Sequence, residues 1–150
     1  MFFSSYKTRY YAAFLFLGAC ILLTRTIQMV SEGALEMLMP WVSLLLMFEL
    51  AIDLAWLFQA ANWWISPDRQ KIKKTLNLAA AAIILHAIRV HVFVMGRYGP
   101  WIDFDHKPEY RPLLYSEWGW LYFAAGMSVL GVIGVIVVWS IRHRLKKSNR

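Results

Sequence analysis

Ionisable side chains interrupt at least three of four long apolar stretches in this 150-residue chain. Arg25 falls in the first stretch, Glu49 and Asp53 in the second, and His86, Arg89 and His91 in the third. Stretches of this length read as transmembrane helices, and hydrocarbon tolerates charge poorly. At about 2.5–3.5 kcal/mol for each charge near a bilayer centre, four unpaired ions would cost on the order of 10–14 kcal/mol. That rivals the whole stability of a typical domain. The charges must therefore face one another, water, a ligand or a partner subunit.

The rest of the composition agrees with a bilayer-embedded chain. Hydrophobic residues make up 59% of it, with eight Trp, and the mean hydropathy is +0.46. Soluble domains run nearer ~45–50% apolar and break their apolar runs with polar faces. Four spans of ~20 residues use more than half the chain, which leaves no segment for a separate soluble domain. The expected fold is all-α: one polytopic membrane domain over residues 1–150, built as a four-transmembrane-helix bundle. The spans are read at residues 10–30, 39–64, 75–96 and 117–141, with an outer loop at 97–116 and a basic tail at 142–150.

A net charge of +7 could suggest nucleic acid, but its distribution excludes that partner. Lys7 and Arg9 precede the first span, and Arg69, Lys71, Lys73 and Lys74 lie between the second and third. Arg142, Arg144, Lys146, Lys147 and Arg150 follow the fourth. The other connections are acidic or mixed, with Glu32 and Glu36 in the first and Asp103, Asp105, Glu109 and Glu117 against Arg97, Lys107 and Arg111 in the second. This alternation follows the positive-inside rule and places both the N-terminus and the C-terminus in the cytoplasm. A bacterial cytoplasmic (inner) membrane is the expected location, with the cations near anionic headgroups.

Local signals mark the helix ends. Pro40 suits a first helical turn, and Ser66-Pro67-Asp68 reads as a cap, a first-turn proline and an acid on the dipole. Gly99, Pro100, Pro108 and Pro112 exclude a long helix from the outer loop. The fourth span has Ala124, Ala125, Gly126, Ser128, Gly131 and Gly134, small residues that let helices approach closely in lipid. A lone Cys20 excludes an internal disulfide and thiol-oxidase chemistry. Leu17-Gly18-Ala19-Cys20 resembles a lipoprotein signal, but the apolar run continues through Ile21, Leu22 and Leu23, so Cys20 reads as a helix residue.

Rise per residue converts position into depth. Glu49 lies roughly 16 Å below the outer face, Asp53 about 6 Å deeper, and His86 roughly 16 Å above the inner face. Arg89 and Arg25 lie at about 21–22 Å and share a level. Glu49 and Asp53 share one helix face, as do His86 and Arg89. The expected polar network is thus Arg25, Glu49, Asp53, His86 and Arg89, with His86 hydrogen-bonded to Glu49. Asp53 is expected to lack a cation of this chain at its own level.

His86 and His91, five apart, point roughly 140° from one another and cannot share a haem iron. No metal centre or cofactor held by this chain alone is expected. Asp103, Asp105, His106 and Glu109 have ligand chemistry at short spacing, yet Lys107 and Arg111 can satisfy them as ion pairs. Together with Trp101, Phe104 and Tyr110 they read as a docking surface or a lid. The chain has no phosphate-cradling glycine loop, nucleophile elbow or zinc motif. The leading expectation is a small non-catalytic accessory or assembly subunit, its partners being the bilayer and other membrane subunits or copies of itself. Proton or ion translocation through the intramembrane network is the first alternative. Binding of lipid, quinone or a cofactor between helices is the second.

Overall fold

In a computed structural model, residues 6–31, 40–96 and 117–147 are described, and all the regular structure among them is helical. Helix α1 covers Tyr6–Ser31, α2 Pro40–Ile65, α3 Arg69–Gly96 and α4 Glu117–Lys147. Three of them hold stretches long and apolar enough to cross a membrane: Thr8–Ser31, Ser43–Ile65 and Ala125–Lys146. The described part of α3 is more polar, because Asn77, His86, Arg89 and His91 interrupt its apolar run. The surface is inverted relative to a water-soluble protein. Leu17, Ile21, Leu44, Phe48 and Phe58 are exposed, whereas Glu49 and Asp53 are 0% exposed. Such a surface suits helices long and apolar enough to cross a membrane.

The helices pack in chain order, α1 on α2, α2 on α3 and α3 on α4, with a smaller contact between α1 and α3. Asp53 pairs with His86 and the earlier Glu49 with the later Arg89, just as Gly134 meets Ile83 and Gly131 meets Ala87, so these neighbours run antiparallel. The buried positions explain the packing. On α2 they are Leu46, Glu49, Asp53, Trp56, Ala60 and Trp63, alternating three and four residues apart. On α1 the stripe is Thr8, Ala12, Leu15, Ala19, Leu23 and Thr26, and on α3 it includes Ile72, Leu76, Ala79, Ala82 and His86. A three-four alternation keeps one seam facing its neighbour along a gently supercoiled bundle. Small residues face large ones across it: Gly18 lies where an added Cβ would meet the Trp56 ring at 3.3 Å.

Two helix boundaries differ from the sequence reading. The cap of α3 is Asp68, whose carbonyl accepts from Ile72 N at 2.9 Å, not Ser66. Ser66 instead closes α2, its N–H donating to Asn62 O at 3.1 Å, because the residue before proline resists the helical region. Helix α4 continues through Lys147, so most of the expected basic tail is helical. The outer loop, including Trp101, Asp103, Phe104, Asp105, His106, Glu109 and Tyr110, lies outside the described residues, as do residues 32–39.

The small residues of α4 serve internal packing. A Cβ at Gly134 would meet Ile83 Cδ1 at 3.1 Å and one at Gly131 would meet Ala87 Cβ at 3.4 Å, whereas Gly126 has nothing within 4 Å. Gly134→Val should therefore destabilise the α3–α4 contact by about 1–3 kcal/mol through overpacking. Gly126→Ala should stay within about 0.5 kcal/mol of the parent. Denaturant titration in detergent micelles, followed by circular dichroism, checks both.

Candidate functional site

The α2 seam and the α3 seam cross where both carry polar residues, and four ionisable side chains meet there. His86 bridges two carboxylates: Nδ1 lies 2.8 Å from Glu49 Oε1, and Nε2 lies 3.0 Å from Asp53 Oδ2. Arg89, one turn further along α3, donates from Nε to Glu49 Oε1 at 3.0 Å and lies equally close to Oε2. Its Nη2 reaches His86 Nδ1 at 2.6 Å, and Nη1 meets Met29 Sδ on α1. Thr26, also on α1 and fully buried, donates from its hydroxyl to Asp53 Oδ2 at 2.9 Å. Three helices thus contribute to one centre.

Four of the five network residues read from the sequence come together, and Arg25 does not. It is exposed, and its Nη1 donates to Gln28 Oε1 at 3.2 Å on its own helix. The reason is angular. Thr26 occupies the seam, and the preceding residue lies about 100° around the helix, on the outer face. Asp53 is corrected in the opposite direction, because the second nitrogen of His86 supplies the partner at its level. Thr26 and Met29 were missed by counting charges alone. The buried spacing of Ala12, Leu15, Ala19 and Thr26 is the signal that would have found the hydroxyl.

The electrostatics leave one position undecided. Glu49 and Asp53 carry two negative charges and Arg89 one positive charge, so a neutral His86 leaves one uncompensated anion in a buried site. His86 Nδ1 faces a guanidinium donor and a carboxylate acceptor together. If Nδ1 carries a proton, it bonds Glu49 and opposes Arg89; if it does not, it accepts from Arg89 and opposes Glu49. A single proton therefore selects between two hydrogen-bond patterns. Buried Asp53 Oδ1 accepts no hydrogen bond, and Glu49 Oε2 has only the ionic approach of Arg89 Nε. Glu49, Asp53 and His86 also offer ligand atoms within 4.8 Å of one another, a spacing a metal ion could use. One proton would bring the formal charge of the group to zero, and a divalent ion beside Arg89 would bring it to +1.

His91 plays a different part. Its Nδ1–H donates to Ala87 O at 2.7 Å, which leaves Nε2 to accept from the Ser128 hydroxyl of α4 at 3.0 Å. Nδ1 is thus satisfied within α3, and Nε2 joins α3 to α4.

Removing one member of a buried ion pair strands the other, so Arg89→Leu should cost about 3–5 kcal/mol. Thr26→Val, which removes a hydrogen bond to a carboxylate, should cost about 1.5–3 kcal/mol. Arg25→Gln, on the outer face, should stay within about 0.5 kcal/mol of the parent. Unfolding midpoints of the three variants in one detergent check the order. No protein-family model matches the chain, and no curated protein or solved structure matches it either.

Proposed function

We propose that the chain spans a bacterial inner membrane four times, with both termini cytoplasmic, and that its buried centre takes up and releases a proton in proton or ion translocation. The observation that carries this reading is His86 Nδ1, held between Arg89 Nη2 and Glu49 Oε1. Two arrangements differing by one proton, each with its own hydrogen bond at Nδ1, are the minimum requirement for a relay. Burial of Glu49 and Asp53 at 0% exposure restricts exchange with bulk water to whatever route the helices open. The fourth span in this reading is α3, whose His86 and Arg89 face the carboxylates of α2 and which exposes Ile84 and Ile88 on its outer side. The basic ends of α3 and α4 set the orientation.

A second reading, an accessory subunit of a larger membrane complex, is favoured by Arg25 and α4. Arg25 presents a guanidinium outward from an apolar helix, and α4 exposes Val129, Leu130, Val132, Ile133 and Ile136 along much of its length. An acidic residue on a neighbouring subunit would compensate the first, and its helices would cover the second.

Proteoliposomes separate the two. Wild-type protein should collapse an imposed pH gradient read by a trapped dye. Glu49→Gln and His86→Gln should abolish the flux while circular dichroism shows the helices intact. A wild type without flux rules out the relay, and recovery of a stoichiometric hetero-complex in mild detergent would then support the subunit reading.

A further inference from the structure

The last turns of α4 hold a second cluster that the buried centre does not use. Trp139, Arg142, His143 and Lys146 line an open recess of about 190 Å³. All four are exposed, and the His143 ring stacks on Trp139 with centroids 5.6 Å apart and 18° between planes. Val132, Ile136, Trp139 and His143 follow one another at four, three and four residues, so they run along one side of the helix. That side is apolar at Val132 and Ile136, aromatic at Trp139 and His143, and cationic at Arg142 and Lys146.

The neighbouring element reinforces the charge. Ile72 shares a core cluster with Val138 and Ile141, which brings the first turns of α3 alongside the last turns of α4. Those α3 turns supply Arg69, Lys71, Lys73 and Lys74, with Asp68 as their acid. The C-terminal dipole of a helix attracts cations to its last turn, but it requires neither a recess nor an aromatic wall.

We infer that this recess binds the phosphate of an anionic phospholipid, with an acyl chain lying along Val132 and Ile136. Free phosphate would need the cations alone. The continuous apolar stripe leading into them matches a ligand with a hydrocarbon tail attached to an anionic head. Arg142 and Lys146 hold the phosphate, and Trp139 packs at the level of the glycerol, where indoles favour the interface.

The test uses full-length protein, delipidated in detergent and offered phosphatidylglycerol or phosphatidylcholine, with retained lipid counted by native mass spectrometry. Phosphatidylglycerol should be retained and phosphatidylcholine not. Arg142→Gln with Lys146→Gln should lower retention about tenfold or more, while Arg144→Gln, an exposed cation that does not line the recess, should not. The charge-conserving pair Arg142→Lys with Lys146→Arg should restore retention, which excludes a folding defect. Equal retention by the double Gln variant and the wild type, or equal loss in Arg144→Gln, would overturn the proposal. Displacement by inorganic phosphate at the lipid's own concentration would overturn the assignment to lipid. Proton flux does not enter this experiment, so its outcome is independent of the buried centre.

Discussion

An imidazole held between two carboxylates is the contact on which the rest of the bundle depends. Glu49 and Asp53 occupy successive seam positions on α2, where a bundle would ordinarily place apolar side chains. Leaving them there without partners would oppose insertion by several kcal/mol. His86 and Arg89 answer them from the matching positions of α3, and Thr26 closes the site from α1. Register follows directly. Sliding α3 by one turn would remove Nε2 from Asp53 and the guanidinium from Glu49 together, so the polar centre admits one alignment of these helices. An apolar seam of alanines and leucines would tolerate more.

Toward the C-terminal end of α2 the seam becomes apolar and alternates in size. The Trp56 ring lies against Gly18, and Trp56 and Trp63 share one buried cluster with Ala12, Ala19, Ala60 and Ala79. Dispersion and close approach replace hydrophobic burial as the cohesive force between helices in lipid. Large rings set into small-residue gaps are the form that cohesion takes here. The α3–α4 contact uses the same device, with Gly134 admitting Ile83.

Depth was legible in the sequence and direction only partly so. Counting residues placed Glu49, Asp53, His86 and Arg89 near one level because rise along a helix is nearly constant. Sharing a face was also readable, since residues three or four apart stay aligned. Arg25 shows where counting ends: it matched Arg89 in depth, yet one residue of angular offset put it outside and Thr26 inside. The phase of the seam, set by Ala12, Leu15 and Ala19, carries that information, and charge alone does not. The bridging of Asp53 depended on the two-nitrogen geometry of a single imidazole, which spacing cannot express. The cap of α3 moved two residues because Pro67 ended α2 before it could begin the next helix.

The length of α4 has a consequence for how the molecule meets lipids of different thickness. Its 31 residues reach about 46 Å, against a hydrocarbon layer of about 30 Å. Helices α2 and α3 are fastened to each other by ion pairs, and Thr26 and Met29 tie α1 to the same centre. Helix α4 meets them mainly along α3, through glycine, alanine and isoleucine surfaces without an ion pair among the described residues. In a bilayer, a change of thickness would fall first on the tilt of α4, since no ion pair among the described residues ties it to the other three helices. Acyl-chain length would then act on the fourth helix before it reached the polar centre.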